Sequence, residues 1–161
     1  MTKLHGVITS MLTPFTQNLN LDEETLAQEL STTRKVRLHS RMAEALEELY
    51  GADAEAHAAE LAYHFGEAVT VTGPNKLVEY SMLAGERALA GYAHKEALDH
   101  FQRALDAKES QPLDAEMASI LFGLGRSQAA ALSRYQIDQA VASLNRSFDY
   151  YAEVGDVPRA V

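Results

Sequence analysis

The sequence predicts an all-α protein in which antiparallel helical hairpins stack as a short solenoid, preceded by a short strand-like segment. Three observations carry this. Apolar residues are 47% of the 161 residues, yet there is no Trp and aromatics are only 7%, so the core must be built from Ala and Leu, a composition that favours helices. From Arg34 onward apolar residues recur at helical spacing, in runs closed by Gly51, Gly66 and Gly155. Finally, residues 77–105 read as two helices folded back on each other. Ala84, Gly85 and Ala88 strip the first of bulk, so the second approaches closely and wedges Tyr92, Leu98, Phe101 and Leu105 into the gap. Such a hairpin has more apolar face than it can cover alone and needs neighbours.

In chain order, residues 6–15 (GVITSMLTPF) predict a β-branched strand and a Pro-marked turn. A helix follows, with Asp22 as N-cap, Glu23 and Glu24 in its first turn and Leu21 stapled to Leu26. The texture changes at Arg34, which sets two regions, 1–33 and 34–161. Leu38, Met42, Ala45, Leu46 and Leu49 mark the apolar stripe of the next helix, stopped by Gly51. Its other side carries Arg34, Arg37 and Arg41, then Glu44, Glu47 and Glu48: either a basic docking face or a solvated mixed-charge surface. Asp53 is placed to cap a helix buried through Ala58, Leu61, Ala62 and Phe65. Gly73-Pro74 launches the central hairpin, and KESQPLDAE is a polar connection to another. In that second hairpin, residues 113–132 and 137–153, Leu124-Gly125 stands where Ala84-Gly85 stood, and Ala140 with Leu144 where Ala97 and Phe101 stood. The Gly-to-Ala offset is fifteen residues instead of twelve, so the turn at 133–136 is longer or shifted. After the Gly155-Asp156 stop, residues 157–161 look like the first turn of another helix, and the array reads as cut in mid-repeat.

Two resemblances attach to these residues. Ala84-Gly85, followed by Ala97, Phe101 and Ala104 at i, i+4, i+7, resembles a tetratricopeptide-type hairpin. The order RLHSRMAEALEELYG, HAAELAYHF, YSMLAGERAL over residues 36–156 resembles the helical-repeat region of bacterial LuxR-type and adenylate-cyclase-associated ATPase regulators. This implies a right-handed superhelix of five to seven helices, and a non-enzymatic role in protein-protein interaction or signal reception. The concave face would be lined by the first helix of each hairpin, making Tyr80, Glu86, Arg87, Arg126 and Gln128 the partner-facing candidates. The nucleotide-binding motif of those regulators, G-x-x-x-x-G-K-[ST], does not occur. Separately, residues 6–30 resemble the N-terminus of the dihydrodipicolinate synthase and N-acetylneuraminate lyase family, with its G-V-I and T-P-F run and Asp-Glu helix. That family's Gly-Thr-Thr-Gly-Glu turn and Schiff-base Lys have no counterpart, and its barrel needs about 250 residues, so no catalytic residue carries over. The juxtaposition suggests a lyase-like start fused to part of a repeat array.

The net charge of −9 opposes a general nucleic-acid surface, although the Arg34 to Arg41 segment leaves a DNA-linked regulator as a rival. With no Cys, disulfides, thiolate metal sites and Cys nucleophiles are excluded. The N-terminal VITSML run is too short and polar for a secretory signal, which points to a cytoplasmic protein with no membrane contact. His57, Glu60 and His64, at i, i+3, i+7, are the one cluster with metal-ligating chemistry, set against a packing role; no metal or cofactor is expected. Gly123-Leu124-Gly125 sits in a helical pattern and reads as close helix packing instead of a phosphate loop. His94 and His100 read as surface or interhelical residues. The expected partner is a protein or peptide, and open solenoid ends invite self-association.

Overall fold

A computed structural model describes residues 23–108, 111–131 and 137–155, the first eight through their backbone only. The expected strand at 6–15, the Asp22 cap with its Leu21–Leu26 staple, the turn at 133–136 and the helix start at 157–161 lie outside the described residues. Every described element is helical, and there is no strand among them.

Helix α1, Glu23–Tyr50, runs unbroken across the 33/34 change of texture and stops where Gly51 turns to φ +48°. The chain then tightens into a 3-10 segment, Gly51–His57, before α2, Ala58–Glu67. Asp53 lies inside that segment, and α2 begins without a side-chain cap, so the expected Asp53 cap is corrected. A single turn, α3 (Val69–Thr72), ends at Gly73 with φ +75°, and Pro74 opens α4, Asn75–Ala90. Then come α5, His94–Lys108, α6, Ala115–Ala131, and α7, Ile137–Val154. The main contacts run between neighbours: α1 on α2, α2 on α4, α4 on α5, α5 on α6 and α6 on α7.

Glycine sets the closeness of the later contacts. A Cβ on Gly85 would sit 2.8 Å from the Phe101 ring, and one on Gly123 would sit 2.3 Å from it. The Phe101 ring, fully buried, is therefore held between α4 and α6 by two missing side chains. Gly125 repeats the arrangement one hairpin on: a Cβ there would lie 2.6 Å from Leu144 and 3.3 Å from the Ala140 carbonyl. Ala97, Ala104 and Ala140 are buried beside these contacts. Ser127 satisfies its buried hydroxyl by donating to the Gly123 carbonyl at 2.8 Å, and Ser147 donates across to Ala118 at 2.8 Å.

Two expectations about apolar residues are overturned. Tyr92 is not wedged in the hairpin gap: it is 82% exposed, with φ +60° in the three-residue connector where the chain reverses. And α1 does not turn Leu38, Met42, Ala45 and Leu49 inward. Its inner side is Val36, His39, Ser40, Ala43, Leu46, Glu47 and Tyr50, leaving Leu38 57% and Leu49 76% exposed. The small Ser40 and Ala43 let α2 approach, and each polar residue turned inward finds a partner. His39 Nδ1 meets His64 Nδ1 at 3.0 Å. Ser40 donates to Glu44 at 3.3 Å, and Glu47 accepts from Lys76 at 2.7 Å and from the Tyr80 hydroxyl at 2.5 Å. Those bonds add to the burial of Ala43, Leu46 and Tyr50 against the core that α1 shares with α2 and α4.

The polar connection between α5 and α6 closes around a buried cation. Lys108 Nζ lies 2.8 Å from Asp114 and 2.5 Å from Glu116, and Asp114 also caps α6 by accepting from the Met117 N–H at 2.7 Å.

Candidate interaction surface

Of the five residues singled out for partner contact, three are exposed. Glu86 and Arg87 on α4 and Arg126 on α6 are exposed, and Arg126 Nη1 bridges to Glu86 Oε2 at 3.4 Å. Arg126 also lies over the half-exposed ring of Phe122, one turn earlier, 5.5 Å from its centroid. Arg87 reaches the other way, donating to the Glu55 carbonyl of the 3-10 segment at 3.2 Å. This ties the 3-10 segment to the last turn of α4.

The other two are corrected. Tyr80 is 4% exposed: its ring stacks on Phe65 with centroids 5.6 Å apart and its hydroxyl donates to Glu47. Burial first, and the Glu47 hydrogen bond second, push its phenol up to about 12. Gln128 is buried as well, accepting from Ser143 at 2.9 Å between α6 and α7. Both residues stand on first helices of hairpins, but on the side that meets the neighbouring helix.

Arg87 stands at a groove of about 310 Å³ between the 3-10 segment, α2, α4 and the start of α5. Ala56, Ala59, Ala84, Ala88, Gly91 and Ala93 make its small-residue lining, because α2 and α5 approach α4 there without long side chains. Three functional groups stand among them: the guanidinium of Arg87, the carboxylate of Glu96 and the imidazole of His100. Burial first, and then the nearby Arg103 charge, hold His100 below the ordinary imidazole value, so it is neutral at pH 7. Its Nδ1 is buried with no partner among the described residues. The lining thus combines a cationic donor, an anionic acceptor and an imidazole around a shallow apolar floor. Such a set can hold a peptide backbone or a small polar side chain, but it contains no nucleophile paired to a base.

Sequence reasoning missed this groove. Ala56, Ala59 and Ala93 carry no periodic mark, and the sequence marks His100 only as a surface or interhelical residue. The Phe122–Arg126 pair at i, i+4 was the available signal for the neighbouring patch.

The histidine and carboxylate cluster separates in space. His57 stacks on Tyr50, centroids 3.7 Å apart, and its Nδ1 is 4.0 Å from Glu60, which accepts from the Tyr50 hydroxyl at 2.8 Å. His64 turns inward to His39 instead. No group of three or more His, Asp or Glu able to hold a metal ion occurs among the described residues. Gly123-Leu124-Gly125 lies within α6, its glycines against Phe101 and Leu144. Arg34, Arg37, Leu38 and Arg41 line a shallow depression of about 290 Å³ on the outer side of α1. No described helix is long and apolar enough to cross a membrane.

No protein-family model, curated protein or solved structure matches this chain. What its surfaces do must be read from their geometry.

Proposed function

We propose that this chain is a non-enzymatic helical-repeat interaction module, a short solenoid of tetratricopeptide-like hairpins that receives a peptide segment of a partner protein in the Arg87 groove. The observation that carries the reading is the groove itself, with Arg87, Glu96 and His100 set around an alanine floor. Polar clamps over shallow apolar pockets are how helical-hairpin surfaces hold extended peptides, with Arg serving as a bidentate donor to carboxylate or backbone oxygen. Neighbour-to-neighbour packing and the recurrence of the glycine contact, Gly85 on Phe101 and Gly125 on Leu144, support stacked repeats. The sequence resemblance over residues 36–156 supports placing the module in a bacterial regulatory protein.

The test is selection of peptides from a random display library on the purified chain. Wild-type protein is expected to enrich a defined motif, whose binding by fluorescence anisotropy falls at least about tenfold in Arg87→Glu and in Ala59→Trp. Absence of any enriched motif, or a motif bound equally by both variants, would remove the groove from consideration.

A further inference from the structure

The two outermost helices each carry an apolar seam that nothing among the described residues covers, and the seams are complementary in charge. On α1 the seam is Leu38, Met42, Ala45 and Leu49, spaced 4-3-4, all exposed. Arg34 and Arg41 run along one edge of it, with Glu48 beside them at the Leu49 end, and Lys35, paired with Glu67, lies near the other. On α7 the seam is Ile137, Val141, Leu144 and Phe148, again 4-3-4; Leu144 is partly covered by Gly125, while Ile137, Val141 and Phe148 are each 48% exposed. Asp138 and Asp149, both exposed, flank it. The single cation of α7, Arg146, lines a separate cavity with Gln102 and Asp106. In a chain of net charge −9, a seam edged by Arg34 and Arg41 thus faces outward at one end and a seam edged by Asp138 and Asp149 at the other.

The repeat register says what the α7 seam is for. Ala140 and Leu144 stand 43 residues after Ala97 and Phe101, and at the same interval Val141 and Phe148 stand after Leu98 and Leu105. Leu98 and Leu105 are the α5 residues partly buried against the cluster shared with Leu124 of α6. So α7 presents outward the face on which α5 carries its following helix. On α1, at about 100° per residue, the exposed seam lies roughly 125° around the axis from the His39 and Ala43 side that meets α2. On α4, Tyr80 meets α2 and Gly85 meets α5, about 140° apart in the same sense. The α1 seam therefore occupies the side on which a preceding helix belongs.

We propose that copies of this chain associate head to tail, the Leu38, Met42 and Leu49 seam of one seated on the Val141 and Phe148 seam of the next, with Arg34 and Arg41 opposite Asp138 and Asp149. The contact is heterologous, so it propagates beyond a dimer unless it closes into a ring. It is distinct from the Arg87 groove and stands whether or not that groove binds a peptide.

Sedimentation velocity of the full 161-residue chain over a concentration series tests this. Wild-type protein is expected to show a concentration-dependent series of species extending past dimer, weakened by raising salt, since the flanking charges are exposed. Leu38→Gln/Leu49→Gln removes one end and Val141→Gln/Phe148→Gln the other. All four side chains are exposed in the free chain, so circular dichroism should show both variants folded. Each alone is expected to lose association at least tenfold, and a mixture of the two to give a dimer and nothing larger, because one good end of each kind remains. A wild-type chain that stays monomeric overturns the proposal, including the case in which Leu38 and Leu49 are shielded by another segment of the same chain. So does association abolished by one variant and untouched by the other, which would mean a two-fold contact or a different partner surface.

Discussion

The two halves of this molecule make the same kind of helix-helix contact by different means. Between α4 and α7 the helices close over missing atoms: Gly85, Gly123 and Gly125 leave spaces that Phe101 and Leu144 fill. Between α1, α2 and α4 an apolar cluster that includes Ala43, Leu61, Phe65 and Tyr80 is joined by polar groups turned inward and paired, His39 with His64 and Glu47 with Lys76 and Tyr80. The contacts from α4 to α7 depend chiefly on volume. Those of α1, α2 and α4 depend in part on hydrogen bonding, and that part can be weakened without removing an apolar side chain. Similar hairpin geometry need not mean similar vulnerability.

The contrast breaks most visibly at Phe101. Phe101→Ala is expected to cost about 3–5 kcal/mol, because the cavity is walled by backbone at Gly85 and Gly123 and cannot collapse. Thermal unfolding measures it, and a loss under about 1 kcal/mol would mean that the glycine contact is not the keystone of this half. Gly123→Ala attacks the same place from the other side. Its methyl would overlap the ring, and a destabilisation of about 1–3 kcal/mol is expected. Phe101→Leu in the same chain should return part of it, whereas simple additivity would deny the contact.

In the other half, His39→Ala leaves the buried Nδ1 of His64 unpartnered, at a cost of about 1–3 kcal/mol. The double change His39→Ala/His64→Ala should cost clearly less than the sum of the singles, since the second loses nothing the first had not already removed. Additive costs would show the two rings to be independent.

The Glu47 carboxyl sharpens the comparison through pH. Burial alone would push it up, but hydrogen bonds from Lys76 and Tyr80 more than offset that and hold it below the ordinary carboxylate range. A carboxyl depressed on folding contributes stability that is fully present above its unfolded value and is lost as pH falls through its folded value. Chemical denaturation at pH 7 and near pH 3 should therefore show Glu47→Gln costing about 0.5–1 kcal/mol at neutral pH and less in acid. An equal cost at both would assign the loss to packing. The smallest effect is a gain: Tyr92→Gly relieves a non-glycine residue held at φ +60° with its ring in solvent, and should stabilise by up to about 1 kcal/mol.

The all-α class and the glycine contacts were legible because they rest on size alone. A small residue in one helix and a large one in the next, at hairpin spacing, leave few ways to pack. The face of α1 was not legible. Its helical wheel has two candidate inner sides, and the larger apolar residues, Leu38, Met42 and Leu49, lie on the one left outside. What decides the matter is the partner of His39, twenty-five residues away on α2, and Lys76 and Tyr80 on α4, none of which periodicity can weigh. The surface suffered in the same way. Tyr80 and Gln128 have the chemistry of partner-facing residues, and only the positions of Glu47 and Ser143 show that they are already engaged. The Arg87 groove is made by what is absent, alanines and a glycine, which a search for reactive residues passes over.

Because each helix is held chiefly by the one before and the one after, the molecule behaves mechanically like a row of links in series. A pulling force applied across the described helices loads every interface in series, with no sheet among the described residues whose hydrogen bonds must all give way together. Extension should come in hairpin-sized steps at modest force, beginning at the polar joint of α1 and α2 and reaching the Phe101 contact last. The protein would then act as a graded spring, lengthening and recovering one unit at a time.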